Sequence, residues 1–411
     1  MRKTSLIRPE YSQRFRCIGP ACEDSCCQGW AVNIDQPAYE KYQNVAPGPL
    51  RTLLDESIER TPDAPNPLHF ARMRMPASLT CPMLNEERLC RIHAELGEEF
   101  LCHTCATYPR IVSSIDGIEE KALSLSCPEA ARLVLLDPDL MQPKGDGGYQ
   151  MTWDDTKLDV RALLPFYWPI REIVLTLVRN RAYPLWQRLF LIGTLCRRLD
   201  AVTRRETDRG VAPVLQGISA AVAQGSLRTA METIPADLAL QLDMVLQLAG
   251  LCRERAQIGA RFLESVDAFR RGIAAVPNAT METLIAAYAA AYDRHYAPFF
   301  AAHPHILENY LINAMFRRQF PYGTKDGKLI LEPEMAREFA TLSTQFALIK
   351  GLLIGVAGFH KEHFSADHII YTVQSASKHF EHHPQFLDQM QALLASTGRD
   401  NPHGLTMLLR N

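Results

Sequence analysis

Nine of the chain's 11 cysteines lie between Cys17 and Cys127, and the 284 residues beyond them hold only Cys196 and Cys252. They fall in four groups. The first is Phe15-Arg-Cys17-Ile-Gly-Pro-Ala-Cys22-Glu-Asp-Ser-Cys26-Cys27-Gln-Gly-Trp30, and the second is Cys81-Pro-Met-Leu84 with Leu89-Cys90-Arg-Ile-His93. The third is Cys102-His-Thr-Cys105-Ala-Thr-Tyr108-Pro109-Arg110, and the fourth is Ser126-Cys127-Pro128-Glu129. Thiolates at close spacing on turn-rich backbone can converge on one soft cation, because short loops aim several sulfurs inward without a regular element. A tetrahedral zinc site takes four ligands, and so does a 4Fe–4S cluster with one cysteine per iron. The candidate metal ligands are therefore Cys17, Cys22, Cys26, Cys27, Cys81, Cys90, Cys102, Cys105 and Cys127. They suffice for one site with spares or two sites with one thiol left over. Spacing leaves zinc and iron–sulfur both open. Cys196 and Cys252 sit in apolar helical patterns and read as small buried hydrophobes.

Thiols stay free only in a reducing compartment. The N-terminus, Met-Arg-Lys-Thr-Ser-Leu-Ile-Arg-Pro-Glu-Tyr, is basic but lacks the apolar run of a secretory signal. Residues 163–178 and 346–359 are apolar but interrupted by charge, short of the ~20 apolar residues of a spanning helix. No transmembrane segment and a cytoplasmic location are expected. Residues 185–199 join a broad apolar face to arginines; they read as a buried helix with a charged edge, with peripheral membrane contact as the other reading.

The elements that must position the thiols follow from composition and periodicity. Hydrophobic residues make up 47% of the 411 and charged residues 22%, an ordinary globular balance. A net charge of −2 lacks the footprint of a nucleic-acid binder. The expected fold is mainly α: a cysteine-rich, loop-rich N-terminal metal-binding region over residues 1–135, a linker over 136–149, and an all-helical domain over 150–411. In the first part, Asp35 and Pro37 predict the start of a short helix. Arg110 to Ile115 predicts a strand, and Lys328 to Leu331 another. Met335, Phe339, Leu342, Phe346, Ile349 and Leu353 share one helical face, and Thr280 is placed to cap a helix running through Phe299.

The run Phe-x-Cys, Cys22-x-x-x-Cys26-Cys27, Cys81-Pro-x-Leu, Cys90-x-Ile-His and Cys105-x-x-Tyr-Pro resembles the YkgJ-type zinc- or iron-chelating family, known for a CxxCxxCC motif. Within it the chain is most similar to the flagellin lysine-N-methylase subfamily. That likeness rests on Cys102, Cys127, Cys-Cys-Gln-Gly-Trp, Glu308-Asn-Tyr-Leu-Ile-Asn313 leading to Phe320-Pro-Tyr-Gly, and Ser377-Lys-His-Phe-Glu-His382. The resemblance implies S-adenosylmethionine as methyl donor, an iron–sulfur cluster (4Fe–4S) on the cysteines, with zinc as the alternative, and flagellin as the protein partner.

Methyl transfer to lysine by displacement needs a neutral amine and therefore a proton acceptor. Glu308, Tyr310 and His382, with His379 and Glu381, lie in the subfamily-like segments and are the candidate catalytic residues. No Gly-x-Gly-x-Gly follows a predicted strand, and the Cys-x-x-x-Cys-x-x-Cys triplet of radical S-adenosylmethionine enzymes is not present. The residues that bind the cofactor are thus left unassigned. His360-Lys-Glu-His363, with His368, reads as an exposed helix end rather than a metal site. The other functional reading is a metal-binding or redox module without methyl transfer. If the clustered thiols ligate, Cys26→Ala or Cys90→Ala lowers the metal bound per chain while Cys196→Ala leaves it unchanged. Elemental analysis of the three variants checks this, and equal contents would remove the assignment.

Overall fold

Asp35 starts the first long regular element. Its carboxylate accepts the Ala38 amide at 3.0 Å, with Pro37 in the first turn, and so caps the helix Gln36–Gln43. Its other oxygen accepts the amide of His103 at 2.5 Å, so one side chain ties together the starts of two helices. The computed structural model describes residues 2–6, 11–64, 66–115, 118–141, 149–153, 164–203, 210–253, 259–276, 278–325, 328–381, 384–399 and 401–410.

Hydrophobic packing forms two clusters. The smaller gathers Ile34, Tyr42, Leu54, Met73 and Ile92 around the thiols Cys81 and Cys102. Its backbone is an antiparallel sheet in which Ala71–Met73 lies between Asn33–Ile34 and Ile58–Arg60. The larger is built around the helix Met335–His360, against which Leu185–Thr203, Leu238–Arg253, Ala260–Gly272, Met281–Ala291 and Ala366–Glu381 pack. Backbones approach closely there: a Cβ on Gly272 would stand 1.7 Å from the Gly355 carbonyl oxygen, so only hydrogen fits. Tyr11, Phe15, Ile115 and the buried residues between Ile118 and Met141 pack with these helices, whereas the sequence expectation drew its line at residue 135.

The fold is mainly helical, as expected, but the second part is not all-helical. Tyr149–Trp153 pairs antiparallel with Arg2–Leu6, and a small hairpin joins Thr324–Lys325 to Lys328–Leu329. Tyr149-Gln-Met-Thr-Trp153 carries the aromatic and β-branched residues that suit a pleated strand. The N-terminal part is also less loop-dominated than expected, with the helices Gln36–Gln43, Pro49–Ser57 and Pro128–Leu135. The predicted strand Arg110–Ile115 forms and pairs with Ile118–Leu123. Thr280 caps its helix as expected, but the helix gives way to a π turn over Tyr292–Tyr296 before Ala297–Ala302. Residues 142–148 of the expected linker lie outside the described residues. The helix Met335–His360 is long and apolar enough by composition to cross a membrane, which the interrupted pattern had not suggested; 89% of its apolar window is buried by the rest of the protein. Residues 185–199 form a helix with Arg188 buried and Arg197 and Arg198 exposed, as the buried-helix reading required.

A buried ion pair locks the hairpin onto the helices. The Arg171 Nη2 atom reaches both Glu120 oxygens, at 3.0 and 2.9 Å, and Nη1 donates to the carbonyls of Met315 and Phe320 at 3.1 and 2.8 Å. Glu120→Ala leaves that guanidinium buried without its counter-charge and lowers stability by about 3–5 kcal/mol in denaturant unfolding. Glu23→Ala, which breaks only the half-exposed pair with Arg132, costs about 1 kcal/mol or less.

A second buried cation gives a pH signature. Lys350 donates to the Leu409 carbonyl at 2.6 Å, and burial lowers its amine to about 7 from 10.5. The unfolded chain therefore holds a proton that the folded chain lacks between those values, so this group's contribution to stability rises with pH across that window. Below about pH 7 its full penalty applies, and above about pH 10.5 the penalty is gone. Unfolding free energies at pH 6.5 and 9.5 should show wild type gaining stability relative to Lys350→Met, by a few kcal/mol on the order of magnitude.

Candidate functional site

The thiols are held on short turns by backbone pairing. The Cys81 amide donates to the Cys27 carbonyl at 2.8 Å, the Gly29 amide donates to Leu79 at 3.0 Å, and Leu84 bridges to Cys90. Cys90, Cys102 and Cys127 each stand at the residue before a helix, Arg91–Leu96, His103–Thr107 and Pro128–Leu135. Burial pushes the Cys90 thiol up and Cys127 up to about 12, while the first-turn amides beside each sulfur act in the opposite sense.

The sulfurs form two neighbourhoods. In one, Cys26, Cys27, Cys81, Cys90, Cys102 and Cys105 lie within electrostatic reach of one another. Two pairs there act on each other: the neighbouring Cys27 draws the Cys26 thiol down to about 7 and is itself pushed up, and Cys105 lowers Cys102 while rising itself. In the other neighbourhood Cys127 lies near Cys22 and Cys26, and Cys22 near Cys17. Six sulfurs on turns are a soft donor set that suits zinc or iron–sulfur chemistry. Among the described residues, no three His, Cys, Asp or Glu side chains already stand as a metal site, so the expected metal-binding region is not a preassembled one. Cys196 is fully buried in its helix, as expected of a small hydrophobe; Cys252 lies in the helix Leu238–Arg253, but its side chain is outside the described residues.

The loop carrying Cys22, Cys26 and Cys27 is clamped to the helix Ala366–Glu381. Lys378 reaches the Asp24 carboxylate at 2.8 Å and the Ser25 carbonyl at 3.0 Å, and Gln374 donates to Asp24 at 2.7 Å and to the Ser126 carbonyl at 2.8 Å. Burial pushes the Asp24 carboxyl up, but Lys378 outweighs it and leaves the group below its usual range. Beside this clamp, Trp30 packs on Tyr108 at 5.6 Å and donates its indole N–H to the Cys26 carbonyl at 2.7 Å. The Tyr108 hydroxyl meets Ser126 at 2.9 Å, Ser126 meets Ser124 at 2.6 Å, and Ser124 donates to Glu381. Arg317 stands 3.6 Å from the other Glu381 oxygen.

Of the sequence-expected catalytic residues, Tyr310 has Glu381 as a charged neighbour, whereas Glu308 serves a separate pair of arginines. Glu308 is buried and accepts from Arg181 at 3.0 Å and from Arg188 at 2.7 Å. Burial lowers the Arg188 guanidinium, whereas the bond to Glu308 raises that of Arg181. Tyr310, two positions on and so ~200° around the same helix, faces the other way; burial raises its phenol, and Arg317 and Glu381 are its charged neighbours. His379 is buried and stacks on Phe262 at 5.0 Å. His382 lies outside the described residues. His360 stacks on His368 at 3.6 Å, and neither belongs to a three-ligand group. Tyr108, Ser124, Ser126, Asp24, Gln374 and Lys378 were not singled out by residue-type reasoning. Cys105-x-x-Tyr-Pro and Ser377-Lys-His-Phe-Glu-His382 held the signal for two of them. An open groove of about 660 Å³ near Lys41, Arg51, Glu95 and Phe100 has no thiol in its lining.

The model of the FliB lysine N-methylase C-terminal domain matches residues 171–408. That match begins beyond all nine clustered cysteines, so it lends nothing to the CxxCxxCC likeness. A 142-residue stretch, 34% of this chain, is 35% identical to "Lysine-N-methylase" of Salmonella typhimurium and covers 35% of that protein. A stretch of the same length is 34% identical to "Flagellar biosynthetic protein FliU" of Salmonella muenchen and covers 83% of it. The chain thus spans about a third of the curated lysine-N-methylases it matches. No solved structure matches it. Over more than half its length, including the helix that clamps the thiol loop, this chain belongs to the FliB lysine N-methylase family.

Proposed function

We propose that the chain is a protein-lysine N-methyltransferase that transfers a methyl group from S-adenosylmethionine to flagellin lysines, acting in the cytoplasm before flagellin is exported. The observation that carries this reading is the clamp. The thiol loop is bound by Asp24 and Ser25 to Lys378 on a helix of the family domain, so the cysteine face and that domain act as one site. Cys26, Cys27, Cys81, Cys90, Cys102 and Cys105 would hold an iron–sulfur cluster or zinc, with Cys17, Cys22 and Cys127 as the adjacent set. Such a group would supply Lewis acidity at a coordination position left open by the thiols. The protein itself supplies the aromatic wall of Trp30 and Tyr108, which favours a cation, and the hydrogen-bonded groups behind it.

The two thiol pairs Cys26–Cys27 and Cys102–Cys105, close along the chain and acting on each other's charge, favour a second reading, a metal-binding or redox module that transfers no methyl group. One comparison decides between them. Anaerobically purified wild type labels flagellin from methyl-labelled S-adenosylmethionine, and Cys22→Ala loses the label while helical circular dichroism is retained. Full labelling by a folded, metal-free Cys22→Ala makes the cysteines structural. No labelling by metal-loaded wild type leaves the binding module.

A further inference from the structure

The hairpin of Arg110–Ile115 and Ile118–Leu123 is a two-stranded sheet, so each strand has one side turned away from its partner. The pairing fixes which backbone groups lie there. The Ser124 amide donates to the Pro109 carbonyl at 2.8 Å, which makes Pro109 and Ser124 a hydrogen-bonded pair. In an antiparallel ladder such pairs alternate with unbonded ones. Ile111–Ala122, Ser113–Glu120 and Ile115–Ile118 are therefore bonded across the hairpin, and the N–H and C=O groups of Arg110, Val112 and Ser114 point outward. The same alternation turns Leu123 outward on the other strand, where the Asn313 carboxamide takes both of its backbone groups, at 3.2 and 2.8 Å. Asn313 thus stands where a third strand would. Nothing among the described residues does the same for Arg110, Val112 and Ser114.

That edge is also undefended. Strand edges are commonly blunted by lysine, proline or a bulge. Arg110-Ile-Val-Ser-Ser-Ile115 has neither lysine nor proline, and its register runs without a bulge. Its one charge, Arg110, is turned to Phe15. Val112 is 51% exposed, and Ser114 is exposed as well. Ile111, Val112 and Ile115 are β-branched, which suits further pairing. The strand starts at the thiol face. Arg110 donates to the Phe15 carbonyl at 3.1 Å, two residues before Cys17. Tyr108, two residues before Arg110, packs on Trp30 and lies near Cys26 and Cys127. A chain laid along the edge therefore continues onto the cysteines.

We propose that the outer edge of Arg110–Ile115 is a docking strand for the protein substrate, which adds an extended segment as a third strand and so carries its lysine to the thiol face. This rests on the methyltransferase reading and says how that enzyme holds flagellin. Only an extended backbone presents donors and acceptors at the spacing of Arg110, Val112 and Ser114, since a helix has its own bound internally. The place selects the occupant: the edge leads to the cysteines, where a lysine to be modified must arrive. Main-chain bonds supply the affinity and are blind to sequence, so segments around different lysines can use one edge. The exposed Val112 side chain favours a β-branched or aromatic neighbour on the added strand.

The test uses the metal-loaded full chain and purified flagellin, first without S-adenosylmethionine. Hydrogen exchange on wild type needs no substitution. In the free protein the amides of Val112 and Ser114 should exchange quickly and those of Ile111 and Ser113 slowly. Bound flagellin should slow Val112 and Ser114 by at least about tenfold. Val112→Pro and Ser114→Pro each remove an outward N–H and leave the ladder bonds, as proline on an edge strand can. They should keep metal content and helical signal, weaken flagellin binding by about tenfold or more, and raise KM by the same factor with kcat little changed. Val112→Thr keeps the amide and the β-branch and should restore binding. Unaltered exchange at Val112 and Ser114 in the complex would overturn the docking strand, and so would proline variants that bind as wild type does. Equal losses in Val112→Thr and Val112→Pro would overturn it too, because the side chain is then the contact. A wild-type dimer that Val112→Pro dissociates, with flagellin binding unchanged, gives the edge to a second copy and overturns the proposal. Wild type that protects Val112 and Ser114 with flagellin but transfers no methyl leaves the edge in place and overturns the methyltransferase reading.

Discussion

A single guanidinium joins the hairpin that leads to the thiol face with the helices of the family domain. Arg171 projects from the helix Tyr167–Arg179 between a carboxylate of the strand Ile118–Leu123, the Met315 carbonyl in the last turn of the helix His305–Arg317 and the Phe320 carbonyl just beyond that helix. The Met315 carbonyl is among the last of its helix, which have no partner within it. The planar fork of arginine suits this, since one nitrogen serves the carboxylate while the other serves the carbonyls. The desolvation cost of burying both charges is large, and it is offset because neither the Glu120 oxygens nor these carbonyls are left unpaired. The ring of Phe316, 4.7 Å from the guanidinium, closes the pocket.

With Glu120 fixed, the next turn of chain is fixed as well. Asn313 presents its amide to Leu123 as a neighbouring strand would, accepting the Leu123 amide at 3.2 Å and donating to its carbonyl at 2.8 Å. Tyr11 adds its hydroxyl to the same Asn313 oxygen at 2.7 Å, and Asn309 ties down the carbonyls of Val134 and Asp137. Ser124 and Ser126 therefore leave the hairpin in a set direction, toward Glu381. The Glu308-to-Asn313 segment matters here for its two carboxamides. Its carboxylate serves a different network, with Arg181 and Arg188.

Local signals in the sequence were readable where the chemistry was local. Asp35 before Pro37 identifies a capped helix because the carboxylate and the amide it binds are three residues apart. The core face of Met335–His360 follows from period alone. The strand Tyr149–Trp153 was not legible, since its partner Arg2–Leu6 lies far away along the chain and neither segment announces the other. The π turn at Tyr292 has the same periodicity as a continuous helix to within one residue, so pattern reasoning runs straight through it. At the site, cysteine is rare and reactive enough that type and spacing alone picked out the nine thiols. Serine, glutamine and lysine are common on any surface, and only their arrangement in space distinguishes Ser124, Ser126, Gln374 and Lys378. Glu308 and Glu381 looked equivalent in sequence, and their partners separate them.

A cysteine loop anchored only within its own small core would set its sulfur positions independently of the helices. Here the loop between Cys22 and Cys27 makes its strongest polar contacts outside that core. Glu23 pairs with Arg132 at 2.8 Å, its carbonyl accepts from Arg261 at 3.3 Å, and Asp24 pairs with Lys378 and Gln374. Arg261 in turn donates to the Gln374 side-chain carbonyl and lies over the Tyr371 ring, so the anchoring groups hold one another in place. Each partner beyond Arg132 comes from helices that the family model covers. The positions of Cys22 and Cys26 are thus set by the helical domain and those of Cys81, Cys90 and Cys102 by the small core, with Cys27 paired to Cys81 between them. Any ion or substrate that meets both groups of sulfurs depends on how these two packing units are held together. That in turn leads back through Ser126 and the hairpin to the buried pair of Glu120 and Arg171.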